Sequence, residues 1–490
     1  MSVTIRLEGD AATLQLANDI AMVAEADWVI RLEGDLGAGK STFARGFIRA
    51  LACDPRLEVP SPTYTLVQAY EETSPPVLHA DLYRLGDPSE VVELGLSDPG
   101  DRSIRLIEWP DKAGKGAFAG ALTIHFTMDD EAARQSTIDG PPEKLARVER
   151  SLAIHAFLDA SGRLEAQRQR MLGDASTRRY ERLAGQPVIL MDAPRQPDGP
   201  IIRDGKSYSQ LVHLAESVHA FAAVGTALRA RGFAAPAILA SDLDQGLLLL
   251  EDLGGEGVLD DEGAPDRERY YAAATLLADL HAADWQSALP VPGDGTHTLH
   301  RYDSEVFLTE IDLCAQWYLP YRGIKGFDVE GFEAAWRLML APLEDEPSTL
   351  TLRDFHSPNL LWRSAQTGVQ RLGLIDHQDA LLGPPAYDLA SLVHDARVTV
   401  PPALQAELIA TYVDAAGQDL EHVKARFALM TAQRNTKLLG IFVRLSERDG
   451  KSRYLAHLPR VETYLRQVLE HPVLADVKAF YDILLPPTQA

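Results

Sequence analysis

Two stretches of this 490-residue sequence place residues suited to phosphate chemistry at the spacing that chemistry needs. The first is Gly34-Asp35-Leu36-Gly37-Ala38-Gly39-Lys40-Ser41, which fits G-x-x-x-x-G-K-[ST] in full. Glycines at 34, 37 and 39 let backbone amides face the phosphates of a nucleotide. A helix opening at Lys40 adds positive potential at its N-terminus. Lys40 neutralises the terminal phosphates, the Ser41 hydroxyl is a ligand for Mg²⁺, and Thr42 follows in the same cradle. Gly34, Gly37, Gly39, Lys40, Ser41 and Thr42 are therefore the expected ATP contacts of this stretch.

The second is Leu352-Arg353-Asp354-Phe355-His356-Ser357-Pro358-Asn359-Leu360-Leu361, which contains D-x-x-x-x-N, followed by Leu374-Ile375-Asp376-His377-Gln378-Asp379. Phosphotransfer to a hydroxyl needs a carboxylate to orient and deprotonate the acceptor, and an Asn and a second Asp to hold Mg²⁺ between phosphates. Asp354 is the candidate base; Asn359 and Asp376 are the candidate metal ligands. Upstream, Gly173-Asp174-Ala175-Ser176-Thr177-Arg178-Arg179-Tyr180 lies between strand-like pieces, where a phosphate-covering loop belongs, with Ser176 and Arg178 as nucleotide contacts. Leu247–Leu250 leads into Glu251-Asp252-Leu253-Gly254, a hinge where adenine pairs with the backbone of Glu251 and Leu253. The strand Val188-Ile189-Leu190-Met191-Asp192 lacks the lysine that usually pairs with the α/β-phosphates; Arg178 or Arg179 is the candidate replacement. Asp312 and Trp317 are the candidate acceptor contacts, Trp317 either stacking on a sugar ring or packing its helix inward. Asp379 either faces the acceptor or braces its loop.

These residues need elements to hold them. Apolar spacing predicts a helix over Asp10–Ala24, a strand at Trp28–Leu32 entering the glycine loop, and a helix over Lys40–Ala52. Strand-like runs follow at Thr63–Tyr70, Val77–Leu82, Ile104–Ile107 and Leu122–Phe126. Asp139-Gly140-Pro141-Pro142 breaks the pattern, and a helix over Glu143–Leu158 follows. Residues 1–141 are thus expected to be an α/β P-loop NTPase domain. Residues 142–490 are expected to be an α+β domain of two lobes, one small and strand-rich, one large and helical.

Composition bounds the rest. With 46% hydrophobic and 24% charged residues the chain reads as folded and globular. Its formal net charge is −24, acidic on both sides of residue 150, which argues against direct nucleic-acid binding. Cys53 and Cys314 make no disulfide framework and fit a reducing cytoplasm. No signal peptide and no membrane-spanning run is evident.

Further motifs carry two family resemblances. Besides the glycine loop, Ser61-Pro62-Thr63, His79-Ala80-Asp81-Leu82-Tyr83-Arg84, Glu93-Leu94-Gly95-Leu96 and Ile107-Glu108-Trp109-Pro110 together resemble the TsaE family, the ATPase of the bacterial machinery that makes threonylcarbamoyladenosine in tRNA. The resemblance implies that Asp81 lies near Mg²⁺ and that Glu108 orients the attacking water or a metal-bound water; Thr63 either senses the γ-phosphate or simply belongs to a Ser-Pro-Thr turn. Tyr83 and Arg84 are either structural or partner-facing. It also implies weak intrinsic ATPase activity and action through partner subunits that handle the tRNA. Gly383-Pro384-Pro385-Ala386-Tyr387-Asp388-Leu389-Ala390 and Leu277–His281 resemble the aminoglycoside phosphotransferase and choline kinase superfamily, in which Asp388 would brace the catalytic loop and His281 would be structural. GDASTRRY, VILMDAP, LRDFHSPNLLW and LIDHQDA are similar to one branch, the AmgK anomeric kinases, which phosphorylate N-acetylmuramate and N-acetylglucosamine at C1 and also lack the strand lysine. The expectation is a bifunctional cytoplasmic enzyme using ATP and Mg²⁺. Its rivals are a kinase for another small hydroxyl acceptor, such as an aminoglycoside or choline, and a regulatory pseudokinase scaffold.

Overall fold

The structure is a computed structural model describing residues 2–96, 102–114, 116–129, 133–171, 178–293 and 295–485. The chain divides into two compact units, Met1–Asp192 and Ala193–Ala490.

The first unit runs β1 (Ser2–Glu8), α1 (Gly9–Ala21), β2 (Val29–Gly34), α2 (Lys40–Ala52), β3 (Val67–Tyr70), β4 (Val77–Asp81), α3 (Glu90–Glu93), β5 (Ile104–Glu108), β6 (Leu122–Met128), β7 (Ala133–Asp139), α4 (Pro142–Ala160), β8 (Arg168–Arg170), β9 (Arg179–Leu183) and β10 (Val188–Asp192). A seven-stranded sheet has the order β1-β7-β6-β2-β5-β4-β3. Its middle, β6-β2-β5-β4, is parallel, while β1, β7 and β3 add antiparallel edges. Parallel strands are buried on both faces and read as apolar runs, which is why the central ones were legible. Strands β1 and β7 were not assigned from the sequence: Val3, Ile5 and Leu7 alternate with polar residues, and β7 carries Arg134, Gln135 and Ser136. Helix α1 stops at Ala21 rather than Ala24, and only Val67–Tyr70 of the run from Thr63 is strand. Phe43 and Phe47 of α2 pack with Phe126 of β6. A Cβ on Gly46 would meet Leu14 Cδ2 at 2.9 Å and Ala17 Cβ at 3.0 Å, so that glycine sets how closely α2 lies on α1.

The P-loop sheet ends at Asp139, close to the boundary expected at 141/142, but the compact unit continues to Asp192. Helix α4 buries Leu145, Val148, Ile154 and Leu158. Strands β8, β9 and β10 follow as an antiparallel set. A buried cation joins them to α1. Arg168 is fully buried and forks onto Glu181, Nε to Oε2 at 2.6 Å and Nη2 to Oε1 at 2.9 Å. Its Nη1 donates to Asp19 Oδ1 at 3.0 Å and to Ser151 Oγ at 2.9 Å. Arg170 donates to the carbonyls of Ala21, Met22 and Ala24, each at 2.8 Å, capping the end of α1.

The second unit runs β11 (Ile201–Arg203), β12 (Lys206–Ser207), α5 (Tyr208–Leu211), α6 (Val218–Ala230), β13 (Ile238–Asp242), β14 (Leu247–Glu251), α7 (Arg267–Ala282), β15 (Ala288–Pro290), β16 (Thr296–Thr298) and α8 (Ser304–Leu313). It continues with α9 (Leu319–Arg322), α10 (Val329–Leu340), β17 (Thr349–Thr351), β18 (Leu360–Trp362), β19 (Leu372–Leu374), β20 (Leu381–Gly383), α11 (Ala386–Val393), α12 (Pro402–Ala416), α13 (Leu420–Glu447), α14 (Leu458–Val468) and α15 (Ala475–Leu484). Helix α13 packs on α8, α11, α12 and α14 and buries an almost continuous run from Phe427 to Lys437. Two short ribbons, β17–β20 and β18–β19, are embedded among these helices. Strand-rich and helix-rich parts therefore follow the expected α/β and α+β classes.

Removing a buried cation strands its anions in the interior, which costs about 3–5 kcal/mol. Arg168→Met is expected to lower the unfolding free energy of the full chain by that amount in urea denaturation followed by circular dichroism. A loss under about 1 kcal/mol would show that the network does not anchor β8.

Candidate active sites

The first site forms at the C-terminal ends of the parallel strands, where open α/β sheets bind ligands. Gly34 closes β2 at φ 137°, and a Cβ there would sit 2.4 Å from the Phe126 carbonyl oxygen. Gly39, at φ 112°, immediately precedes α2. These conformations suit glycine alone and turn the loop back over the helix N-terminus. A cavity of about 290 Å³ is lined by Gly37, Gly39, Lys40, Ser41, Thr42, Asp81 and Glu108, among others. Parallel register puts Asp81 beside Glu108, and Glu108 beside Leu32 of β2.

The polar groups of this cavity bind one another. Lys40 Nζ donates to the carbonyls of Gly34 at 2.7 Å and Asp35 at 2.8 Å and lies 3.8 Å from the centre of the Trp109 ring. Burial holds the Lys40 pKa below the usual range despite Glu108 and Asp81 nearby. Ser41 Oγ donates to Glu108 Oε2 at 2.9 Å, and His79 Nε2 lies 2.9 Å from Glu108 Oε1. Thr63 Oγ1 and Ser61 Oγ donate to Asp81 Oδ2 at 2.8 and 3.1 Å. Tyr83 packs against Trp109 inside the cavity, whereas Arg84 stacks on Tyr64.

The second site is a loop with little regular structure, held by buried carboxylates. Asp388 of α11 accepts the backbone N–H groups of Leu352 at 2.6 Å and Arg353 at 2.9 Å. Asp395 accepts the N–H and hydroxyl of Ser357 at 2.9 and 2.6 Å. Glu310 of α8, wholly buried, accepts from Arg353, from Lys437 Nζ at 2.8 Å and from Gln433 at 3.1 Å. Between these anchors Asp354 is exposed. Desolvation pushes its pKa up, but His356, Lys437, Arg434 and Arg353 outweigh that and hold it below the usual carboxylate range. Asn359 Nδ2 donates to the Asp354 carbonyl oxygen at 3.0 Å, and the Ile375 N–H donates to the Asn359 carbonyl at 3.2 Å. Because Leu360 pairs with Leu374, the β18–β19 ribbon delivers Asn359 and Asp376 to the same end. Arg353 at φ 69° and Asp376 at φ 60° sit in the left-handed region, a strain that clusters at functional sites.

The remaining expected residues fall in separate places. Glu251 ends β14, accepting from Arg229 at 3.1 Å and from the Ala237 N–H at 3.2 Å, and Leu253 is buried against Gly373. Arg178 directly precedes β9; Ser176 lies outside the described residues. Asp312 and Trp317 are half-buried at the end of α8 and the turn after it, with Gln316 donating to Asp312 at 3.4 Å. Asp379 accepts the Ala215 N–H at 2.7 Å and Gln378 at 3.3 Å, so both its oxygens are engaged in bracing. His281 is half-buried in α7 with Nδ1 3.0 Å from the Tyr412 hydroxyl, a packing position.

Residues 7–136 match the family described as Threonylcarbamoyl adenosine biosynthesis protein TsaE, and residues 167–426 match the Phosphotransferase enzyme family. The N-acetylmuramate/N-acetylglucosamine kinase of Caulobacter vibrioides is 38% identical over 356 residues, covering 69% of this chain and 97% of the relative. The kinase of the same name from Pseudomonas aeruginosa is 33% identical over 321 residues, covering 62% and 84%. The tRNA threonylcarbamoyladenosine biosynthesis protein TsaE of Rickettsia felis is 36% identical over 132 residues, covering 27% and 77%. The chain belongs to both families.

In the TsaE part, sequence reading missed His79 as the partner of Glu108 and Trp109 as the lid on Lys40. The first was open to inference, because His79 and Asp81 alternate on one strand face beside Glu108. In the phosphotransferase part it missed Glu310, Lys437 and Asp395, which come from helices distant in sequence and leave no local pattern. The donor sets suit a hard divalent cation. Among the described residues no three His, Cys, Asp or Glu cluster as a cage. The oxygens come in small sets, Ser41 with Asp81 and Glu108, and Asn359 with Asp376, as suits an ion that completes its shell with phosphate and water.

Phosphates entering the first cavity compete for Lys40, so nucleotide binding is expected to draw Nζ off Trp109 and change tryptophan emission. Titrating the full chain with ATP should give a spectral change that Trp109→Phe abolishes. An undiminished change in that variant would refute the assignment.

Burial raises the Asp388 pKa to about 7, offset in part by the two backbone N–H groups. Its unfolded value is about 3.9. The folded state thus holds this proton more tightly, and the stability it contributes is lost as pH rises towards about 7. Urea denaturation at pH 5 and pH 8 should show wild-type stability falling with pH, and a smaller fall in Asp388→Asn.

Proposed function

We propose that the chain is a bifunctional enzyme made of two functional modules, residues 1–141 and residues 142–490. The first serves as the ATPase of tRNA threonylcarbamoyladenosine synthesis, with the other subunits of that machinery as its partners. The second transfers the γ-phosphate of ATP to the C1 hydroxyl of N-acetylmuramate and N-acetylglucosamine. The single observation that carries the kinase reading is the braced loop: Asp354 exposed beside Asn359 while Asp388, Asp395 and Glu310 fix the backbone around it. The near-complete coverage of a relative named as that sugar kinase supports the acceptor. Both points disfavour an inert scaffold and a different hydroxyl acceptor.

Asp354 orients the anomeric hydroxyl and takes its proton as the O–P bond forms. A hemiacetal hydroxyl is more acidic than an ordinary alcohol, so a carboxylate of low pKa suffices, and positioning does most of the work. Mg²⁺, held by Asn359 and Asp376, would neutralise phosphate charge. In the first module Glu108, oriented by His79, positions the attacking water, while Ser41 and Asp81 would hold the metal. Thr63, bound to Asp81, is placed to respond to the γ-phosphate. The acidic surface fits a module that leaves the tRNA to its partners. No helix among the described residues is long and apolar enough to cross a membrane, and both reactions belong in the cytoplasm.

The full chain with ATP, Mg²⁺ and either N-acetyl sugar is expected to yield the sugar 1-phosphate; no product from either sugar overturns the kinase assignment. Asp354→Asn should lower sugar phosphorylation at least 100-fold and spare tRNA modification, and Lys40→Ala should do the reverse. Loss of both activities in either variant would refute separate modules.

A further inference from the structure

A second cavity in the phosphotransferase unit, of about 370 Å³, is lined by His213, His297 and His300 together with Gln378. The volume lies in the range of ligand-binding cavities, roughly 300–1,000 Å³. Gln378 links it to the second active site: its Nε2 donates to Asp376 Oδ1 at 3.1 Å and to Asp379 Oδ2 at 3.3 Å. His213 and His300 stack face to face, centroids 4.0 Å apart and planes 5° from parallel. His213 adopts φ 54°, a left-handed conformation uncommon for a residue with a Cβ. His213 and His297 are half-buried and His300 is exposed, and among the described residues their ring nitrogens make no hydrogen bond, so they are open to a group entering the cavity.

We propose that this cavity seats the acid group of the acceptor, and that His213, His297 and His300 select a carboxylated N-acetyl amino sugar over its neutral counterpart. The inference rests on the sugar-kinase reading and adds the specificity element to it. In N-acetylmuramate the carboxylate hangs from O3, two ring carbons from the reacting C1 hydroxyl. Gln378 both lines the cavity and binds Asp376, so the cavity adjoins the site where C1 would react.

Electrostatics favours the pairing. Burial and then His300 hold the His213 pKa below the usual imidazole range, with Arg353 and Lys206 acting in the same direction and Asp303 against it. His297 is likewise lowered by burial, His300 and His219. Two charged imidazoles in a stack repel each other, which disfavours protonating His213. An entering carboxylate reverses this, and binding takes up a proton. Glu216 on the cavity wall is paired with Arg195 at 3.6 Å, and burial and Asp198 raise its pKa. Asp379 spends its oxygens on Ala215 and Gln378.

The test is steady-state kinetics of the full chain with both sugars from pH 6 to pH 8. With N-acetylmuramate, kcat/KM should fall about tenfold across this range relative to N-acetylglucosamine. His300→Asn and His297→Gln should each raise KM for N-acetylmuramate at pH 6 at least fivefold and change that for N-acetylglucosamine less than twofold. His300→Arg should restore the acid sugar and flatten its pH profile. Equal losses on both sugars, or a pH profile shared by both, would overturn the carboxylate site while leaving the kinase assignment intact. A wild-type chain that phosphorylates neither sugar overturns the kinase reading itself, a result distinct from either.

Discussion

Glu310 is the charge on which the phosphotransferase site hangs. A carboxylate without solvent is tolerated only when cations and hydrogen bonds surround it, and here Arg353, Lys437, Tyr302 and Gln433 do so. Burial pushes its pKa up, yet Lys437 and Arg353 outweigh that and keep it ionised. Arg353 is the residue before Asp354, so the same guanidinium that neutralises Glu310 fixes the backbone of the reactive loop. Asp388 and Asp395 brace the loop at either side, their oxygens accepting N–H groups that no strand or helix satisfies. The loop is irregular in conformation and rigid in support.

The P-loop site solves a different problem by different means. Its positive potential comes from backbone amides and one lysine, and the side chains themselves are held by local partners. Lys40 is occupied by two carbonyls and an aromatic face, and Ser41 by Glu108. These are weak, exchangeable partners that phosphate displaces, and they keep the side chains near their working positions. The two nucleotide sites thus share chemistry but differ in where rigidity comes from: a parallel sheet in one, paired buried charge in the other.

What the sequence disclosed follows the range of each interaction. The glycine loop was legible because its geometry is written in consecutive residues, and the Asp354–Asn359 spacing likewise. Asp388 was legible through the motif around it, and the structure places it on the loop backbone. Strand β1 escaped notice because an edge strand is only half apolar, and β7, between β1 and β6, because Arg134, Gln135 and Ser136 interrupt its apolar pattern. Arg168, Glu310 and Lys437 escaped because an ion pair across more than a hundred residues leaves no trace in either neighbourhood. Trp317 and Asp312 sit half-buried at the end of α8 and in the turn after it, apart from the histidine cavity's lining, where the spacing alone does not separate a sugar platform from inward packing.

The capping of α1 by Arg170 has a consequence for the order of events on the ribosome. The carbonyls of Ala21, Met22 and Ala24 find their donor nearly 150 residues later in the chain. Domains generally fold as units while synthesis proceeds from the N-terminus. The last turn of α1 closes by its own bonds, Met22 and Ala24 donating to the carbonyls of Asn18 and Ile20. The carbonyls that Arg170 caps are left to water until β8 has been made, so the end of this helix exchanges solvent for protein only when the segment after the sheet is in place.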